Sequence, residues 1–177
     1  TMGVVRGATY VYSEVPQSPE DPLYRALIGA GFVGPVPTPV IIMLVLFAVA
    51  WAFLNRTIPG RTIVAIGGNE EAVRLAGINV RGHVVLAYVI CGFLASSAGI
   101  ILSSRLGIAQ PSLGAGFEMD AIAAVVIGGG SMSGGVGGAV GTLGGVLILG
   151  VIDNLLNQFN VQSYYQQIVK GLIILAA

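Results

Sequence analysis

Two groups of residues in this 177-residue chain have types and spacings that could do chemistry. The first is a set of ionisable groups in apolar surroundings: Asp120, Asp153 and Lys170. A charge in such a place is costly, so its side chain faces a cavity, pairs with another charge or reaches to an interface. Three such groups could relay protons, and Asp153 and Lys170 could pair across the short polar turn Gln158–Gln166. The second group is a charged island, "GGNEEAVRLAGI", with two acids and an arginine between two apolar runs. Its chemistry is recognition: side chains placed to be held by something outside an apolar phase.

Other chemistries find no residues. No G-x-x-x-x-G-K-[ST] occurs, and no G-x-G-x-x-G opens a helix after a strand, so the chain has no nucleotide-binding signature. His83 is the single histidine and has no Cys or His at ligand spacing, so no metal site is expected. No Ser/His/Asp set forms around it, and no catalytic residue is assigned. Cys91 is alone within an apolar run, which excludes a disulfide framework. The absence of a basic cluster argues against a nucleic-acid partner.

The elements that must position the two groups follow from where charge is missing. Charged residues are 9% of the chain and mean hydropathy is +0.88, far from a soluble domain with roughly 25% charge. No charge falls between Arg25 and Arg56, between Arg81 and Arg105, between Asp120 and Asp153, or after Lys170. Each gap supplies all or part of the about 20 apolar residues that a membrane span needs. The fold class is therefore all-α, a polytopic α-helical membrane protein, with 1–177 as a single transmembrane domain.

Thr1–Tyr12 reads as the end of a membrane helix, and 13–36 as an outer, periplasmic loop with a short surface helix at Leu23–Ala30. Full spans are expected at Val40–Leu54 and Val84–Ser104, with Trp51 at an interface. The intervening loop, 55–83, holds Arg56, Arg61, Arg74 and Arg81, against Arg25 and Arg105 in the loops beyond, which makes 55–83 cytoplasmic. That placement makes the "NRT" at Asn55 a chance sequon and sets His83 at the inner interface. "MDAIAAVVIGGG" follows as a helix of only half-span length, and glycines lead into a helix over about Gly138–Asn157. A broken helix is allowed at membrane depth only where protein buries it or it lines a cavity, as at transporter pathways. Polarity around this break nominates Asp120, Ser131, Ser133 and Asn154 as pathway residues. Gly130, Gly134 and Gly138, and Gly137, Gly141 and Gly145, are spaced by four, giving smooth helix faces if helical. A last span starts at Gln166, and both ends of the chain look cut from a longer protein.

Within the charged island, Asn69 is an N-cap and Glu70 and Glu71 fill the first turn, where the helix dipole favours anions. Glu70 and Arg74 stand at i,i+4, and Gly77 supplies a left-handed stop. So short a helix is unstable alone and needs something to dock on, with Ala72, Val73, Leu75, Ala76 and Ile78 as its apolar contacts.

This island resembles the cytoplasmic coupling loop of ABC importer permeases, whose Glu-Ala-Ala-x-x-x-Gly motif appears as Glu71-Ala72-Val73 and Gly77. Val73 replaces the second alanine, and the motif's Ile-x-Leu-Pro end is missing. "GRTIVAIGGNEEAVRLAGI", "GAGFEMDAIAAVVIGGGSMSGGVGGAVGTLGG" and "QQIVKGLIILA" together resemble permeases of ribose-, xylose-, arabinose- and galactose-type sugar importers. The resemblance implies the C-terminal half of a permease in a bacterial inner membrane. It implies a second permease subunit, cytoplasmic ATP-binding subunits and a periplasmic sugar-binding protein as partners. ATP and Mg would be used by the ATPase partner, and this chain would bind no cofactor. Asn69, Glu70, Glu71, Ala72, Arg74, Leu75, Gly77 and Ile78 would contact the ATPase. The outer loops around Leu23–Phe32, Gly107–Phe117 and Gln158–Tyr165 would face the binding protein. Three alternatives stand beside this: a branched-chain amino-acid ABC permease, a proton-coupled secondary transporter using Asp120, Asp153 and Lys170, and a purely structural membrane subunit.

Overall fold

The computed structural model describes residues 2–12, 15, 18, 31–33, 35–160, 162, 165, 166, 168, 171 and 172. The expected surface helix at Leu23–Ala30, the side chain of Lys170 and most of the last span lie outside the described residues. Those described form helices α1 (Met2–Tyr12), α2 (Thr38–Arg56), α3 (Ile58–Gly68), α4 (Glu70–Leu75), α5 (Val80–Leu106), α6 (Phe117–Ile127) and α7 (Ala139–Gln158). A two-stranded antiparallel ribbon, β1 (Phe32–Val33) and β2 (Val36–Pro37), precedes α2, with Phe32 opposite Pro37 and Val33 opposite Val36.

Helices α2, α5 and α7 are long and apolar enough to cross a membrane. At 1.5 Å per residue they measure about 28, 40 and 30 Å, against a hydrocarbon core of about 30 Å. Their outward side chains, such as Val45, Val49, Tyr88, Phe93, Leu147 and Val151, are exposed, and hydrophobic burial is confined to Val80, Ala123, Ala124 and Leu149 among the described residues. An exterior this apolar requires lipid or another protein chain to cover it, and the molecule is a membrane protein.

Two compact units divide the chain. One comprises Thr1–Leu46 and Val89–Ala115. In it the ribbon leads directly into α2, with Thr38 N–H donating to Gly31 O at 2.8 Å. The Ser18 hydroxyl donates to Gly107 O, just past the end of α5, at 3.1 Å.

The second unit comprises Phe47–Tyr88 and Gly116–Ala177. Its centre is an antiparallel hairpin of α6 and α7. At 11 residues, or about 16 Å, α6 is the expected half-span helix. The register follows from small residues: Gly128 packs on Gly141, and Ala124 on Gly145, backbone against backbone. Ala123, Ala124, Leu149 and Ile127 fill the seam. A methyl group added at Gly145 would run into the Ala124 carbonyl oxygen, so glycine there sets the helix separation.

The turn between α6 and α7 corrects one expectation. Gly130, Gly134 and Gly138 form no helical face, because α6 has ended and α7 has not begun. Gly129 (φ +82°) takes the left-handed position, donating to Val126 O at 2.9 Å, while Gly130 N–H donates to Val125 O at 2.8 Å. That pair of bonds stops α6 as a Schellman motif does. In the second expected face Gly137 precedes the helix, and Gly141 and Gly145 do pack on α6.

Candidate functional site

The charged island lies among three successive helices, α3, α4 and α5, each started by a side chain that caps a backbone N–H group. The Thr57 hydroxyl accepts from Gly60 N–H at 3.2 Å and donates to Phe53 O at 2.6 Å, with Pro59 in the first turn of α3. Asn69 Oδ1 accepts from Ala72 N–H at 2.9 Å and opens α4. Asn79 Oδ1 accepts from Gly82 N–H at 3.1 Å and opens α5. Each cap of this kind is worth about 1 kcal/mol, which matters most for the six-residue α4. Close by, the Arg56 guanidinium lies 5.7 Å from the centre of the Trp51 ring, over the end of α2.

Helix α4 has the sequence-predicted start and stop. Gly77 has φ +79°, and its N–H donates to Arg74 O at 3.0 Å; Ile78 N–H donates to Val73 O at 3.3 Å. This is the Schellman pattern, and the apolar contact that accompanies it sits in the same place. Val73 and Ile78 share a cleft of about 250 Å³ with Ile58, Arg61, Thr62 and Ala65 of α3. The dock for α4 is therefore supplied partly by its own chain, through α3. The two glycines at the end of α3 concealed that helix, although Thr57 followed by Pro59 is a helix-start signal.

The outward side of α4 is distinct. Leu75 is 81% exposed, a large apolar side chain with nothing of the described chain over it. Beside it Arg74 pairs with Glu71 at 3.1 Å, both side chains mostly exposed. The expected partner was Glu70 at i,i+4; the Arg74 guanidinium pairs with Glu71 at i,i+3 instead, the other spacing at which helix side chains are neighbours. An exposed pair of this sort adds only a few tenths of a kcal/mol to stability. Asn69, Glu70, Ala72, Gly77 and Ile78 complete the exposed surface. His83 is half-buried at the start of α5, its Nδ1 2.8 Å from Asn79 O.

The four nominated pathway residues are not brought together. Ser131 and Ser133 sit in the glycine turn, where Ser131 Oγ accepts from Ser133 N–H at 3.2 Å. Asp120 is in the first turn of α6 and Asn154 near the end of α7, so both lie at the other end of the hairpin. Asn154 Oδ1 accepts from the Gln158 amide at 3.3 Å, and Asp153 has its Oδ1 shielded from solvent. Ser131 borders a cavity of about 360 Å³ whose other walls are Ala121, Ile122, Val125, Val126, Gly130 and Met132. Those walls offer a polyhydroxylated solute almost no hydrogen bonds. No group of three or more His, Cys, Asp or Glu capable of holding a metal occurs among the described residues.

Comparison with known proteins supplies the remaining information. The family described as "Branched-chain amino acid transport system / permease component" matches residues 4–177. The ribose import permease protein RbsC of Escherichia coli (strain K12) is 50% identical over 99% of the chain and 56% of its own length. RbsC of Haemophilus influenzae is 48% identical over the whole chain and 56% of its own length. The L-arabinose transport system permease protein AraH of E. coli (strain K12) is 40% identical over the whole chain and 54% of its own length. The chain thus spans about half the length of the curated relatives it matches. No solved structure matches it.

Proposed function

The chain belongs to the family of branched-chain amino acid transport system permease components, and from that premise we propose that it forms part of the membrane permease of an ATP-driven sugar importer. The permease carries a monosaccharide delivered by a periplasmic binding protein across the bacterial inner membrane. Ribose and L-arabinose, named by the relatives, are the first candidates. The observation that carries the reading is the outward surface of α4, where a rigidly capped helix presents Leu75 beside the Glu71–Arg74 pair. A lone exposed leucine on a braced helix suits insertion into a pocket of another protein, and charged neighbours set its register.

In this arrangement 55–83 lies in the cytoplasm, and α4 is the handle held by a separate ATP-binding subunit. That subunit uses ATP and Mg, while this chain makes and breaks no bonds. Closure of two ATPase subunits displaces α4 in each of two permease subunits and switches the pathway from one side of the membrane to the other. Asp120, Ser131, Ser133 and Asn154 remain the pathway candidates, with an aqueous route running along the α6–α7 hairpin.

The test is uptake of labelled ribose, arabinose and leucine by the whole permease reconstituted with its ATPase and binding protein in vesicles. ATP-dependent entry of a pentose supports the reading. Entry of leucine alone would favour the substrate in the family's description, and entry driven by a pH gradient without ATP would favour the proton-coupled alternative.

A further inference from the structure

The glycine turn and the handle meet at one crossing. Gly67 and Gly68 end α3, immediately before the cap of α4, and they lie against Gly134 and Gly135 in the turn between α6 and α7. No side chain intervenes. A Cβ built on Gly67 would stand 2.5 Å from Gly135 N, and one on Gly135 would stand 2.6 Å from Gly68 Cα. On either side of the crossing the backbone is stiff. The Asn69 cap and the shared Val73–Ile78 cleft bind α4 to α3, and internal bonds from Ser131 to Val136 and from Gly134 to Ser131 hold the turn. Beyond the turn, Gly128 on Gly141 and Ala124 on Gly145 leave the hairpin no slack.

We infer that this crossing, where glycine is required at Gly67, Gly134 and Gly135, is the joint through which displacement of α4 reaches the α6–α7 hairpin. The inference rests on the proposed role of α4 as the handle. Two stiff bodies in backbone contact transmit a push without the give of intervening rotamers, and glycine is the residue that permits the contact. The joint makes Gly67 a positioning residue, and it gives the turn's glycines a mechanical role that helix packing alone does not supply.

Gly67 and Gly68 provide their own control. Both are helical and have no left-handed φ, so alanine brings the same local preference at each. At Gly68 the added methyl would rest 3.8 Å from Gly135 Cα, in ordinary contact, while at Gly67 it wedges the crossing open. In the whole permease with its ATPase and binding protein, Gly68→Ala is expected to transport as the unmodified protein does. Gly67→Ala is expected to keep its ATP hydrolysis while sugar taken up per ATP falls roughly tenfold, as overpacking a tight contact predicts. Equal coupling in the two variants would overturn the joint while leaving ATP-driven uptake by the parent intact. No ATP-driven uptake by the parent would overturn the underlying reading instead.

A second measurement covers the case in which Gly67→Ala does not assemble. Spin labels at Arg61→Cys and Met132→Cys, in a Cys91→Ser background, report the distance across the crossing. An unchanged distance between nucleotide-free and ATP-bound assemblies supports the joint, and a distance that changes with nucleotide refutes it.

Discussion

Alanine at Gly145 and alanine at Gly144 should have opposite effects on stability although they are neighbours in one helix. Both substitutions remove a flexible residue from α7, a gain of about 1 kcal/mol each by helix preference. At Gly144 nothing lies within 4 Å of the added methyl, so the gain stands. At Gly145 the methyl would strike the Ala124 carbonyl oxygen, with Ala124 C at 2.8 Å and Gly128 N at 3.0 Å. Moving the carbonyl carbon alone to ordinary contact at 3.4 Å requires the helices to part by 0.6 Å, from 2.8 to 3.4 Å, and these are backbone atoms that cannot rotate aside. Forcing apart a packed seam of this kind costs about 1–3 kcal/mol, and parting also loosens Ala123, Ala124 and Leu149. Because the helix-preference gain is common to both, the two variants should differ by about 1–3 kcal/mol, with Gly145→Ala the weaker. Thermal unfolding in detergent, followed by loss of the monodisperse peak, reads this directly. If Gly145→Ala unfolds at the same temperature as Gly144→Ala, the hairpin is not set by backbone contact and its register is wrong.

Asn69→Ala should loosen α4 by about 1 kcal/mol and lower uptake with little change in the amount of protein in the membrane, as an immunoblot beside the transport assay would report. Gly77→Pro cannot adopt φ +79° and loses the bond to Arg74 O, while Glu71→Lys turns an attractive neighbour of Arg74 into a repulsive one. Both should hydrolyse ATP without matching uptake, and normal uptake by both would remove α4 from coupling. Leu75→Asp should release the ATPase partner on co-purification, since it puts a charge where the exposed leucine would insert. Single alanines at Asp120, Ser131, Ser133 and Asn154 should lower labelled sugar uptake at both ends of the hairpin if the route follows it. Unaltered uptake at all four would take the hairpin out of the route.

Much of the chain's local structure was legible because it rests on near neighbours. The long charge-free runs require helices in an apolar phase, since any other backbone there would leave N–H and C=O groups unpaired. Observed spans at Thr38–Arg56 and Val80–Leu106 exceed the expected ones by a few residues at each end, because charged and polar residues at an interface continue a helix that hydropathy alone would stop. Asn69 and Gly77 announced α4, whose cap and stop are made by residues within a few positions of each other. The half-span length of α6 was equally plain, since glycines stand close on both sides of it, Gly116 before and Gly128 after.

Contact decided the rest. A repeat of glycines four apart looks like a helix face whether or not a helix is there, and only the hairpin showed that Gly141 and Gly145 pack while Gly130 and Gly134 turn. The approach of Gly67–Gly68 to Gly134–Gly135 joins segments more than sixty positions apart and leaves no local pattern, because a glycine's packing partner is a backbone, which every residue possesses. Likewise the nominated pathway residues separated to opposite ends once the hairpin had closed. What neighbouring residues dictate, the capped helix and the apolar spans, was present in the order of amino acids. Which backbones touch is settled by distance in space, and only the folded chain contains that.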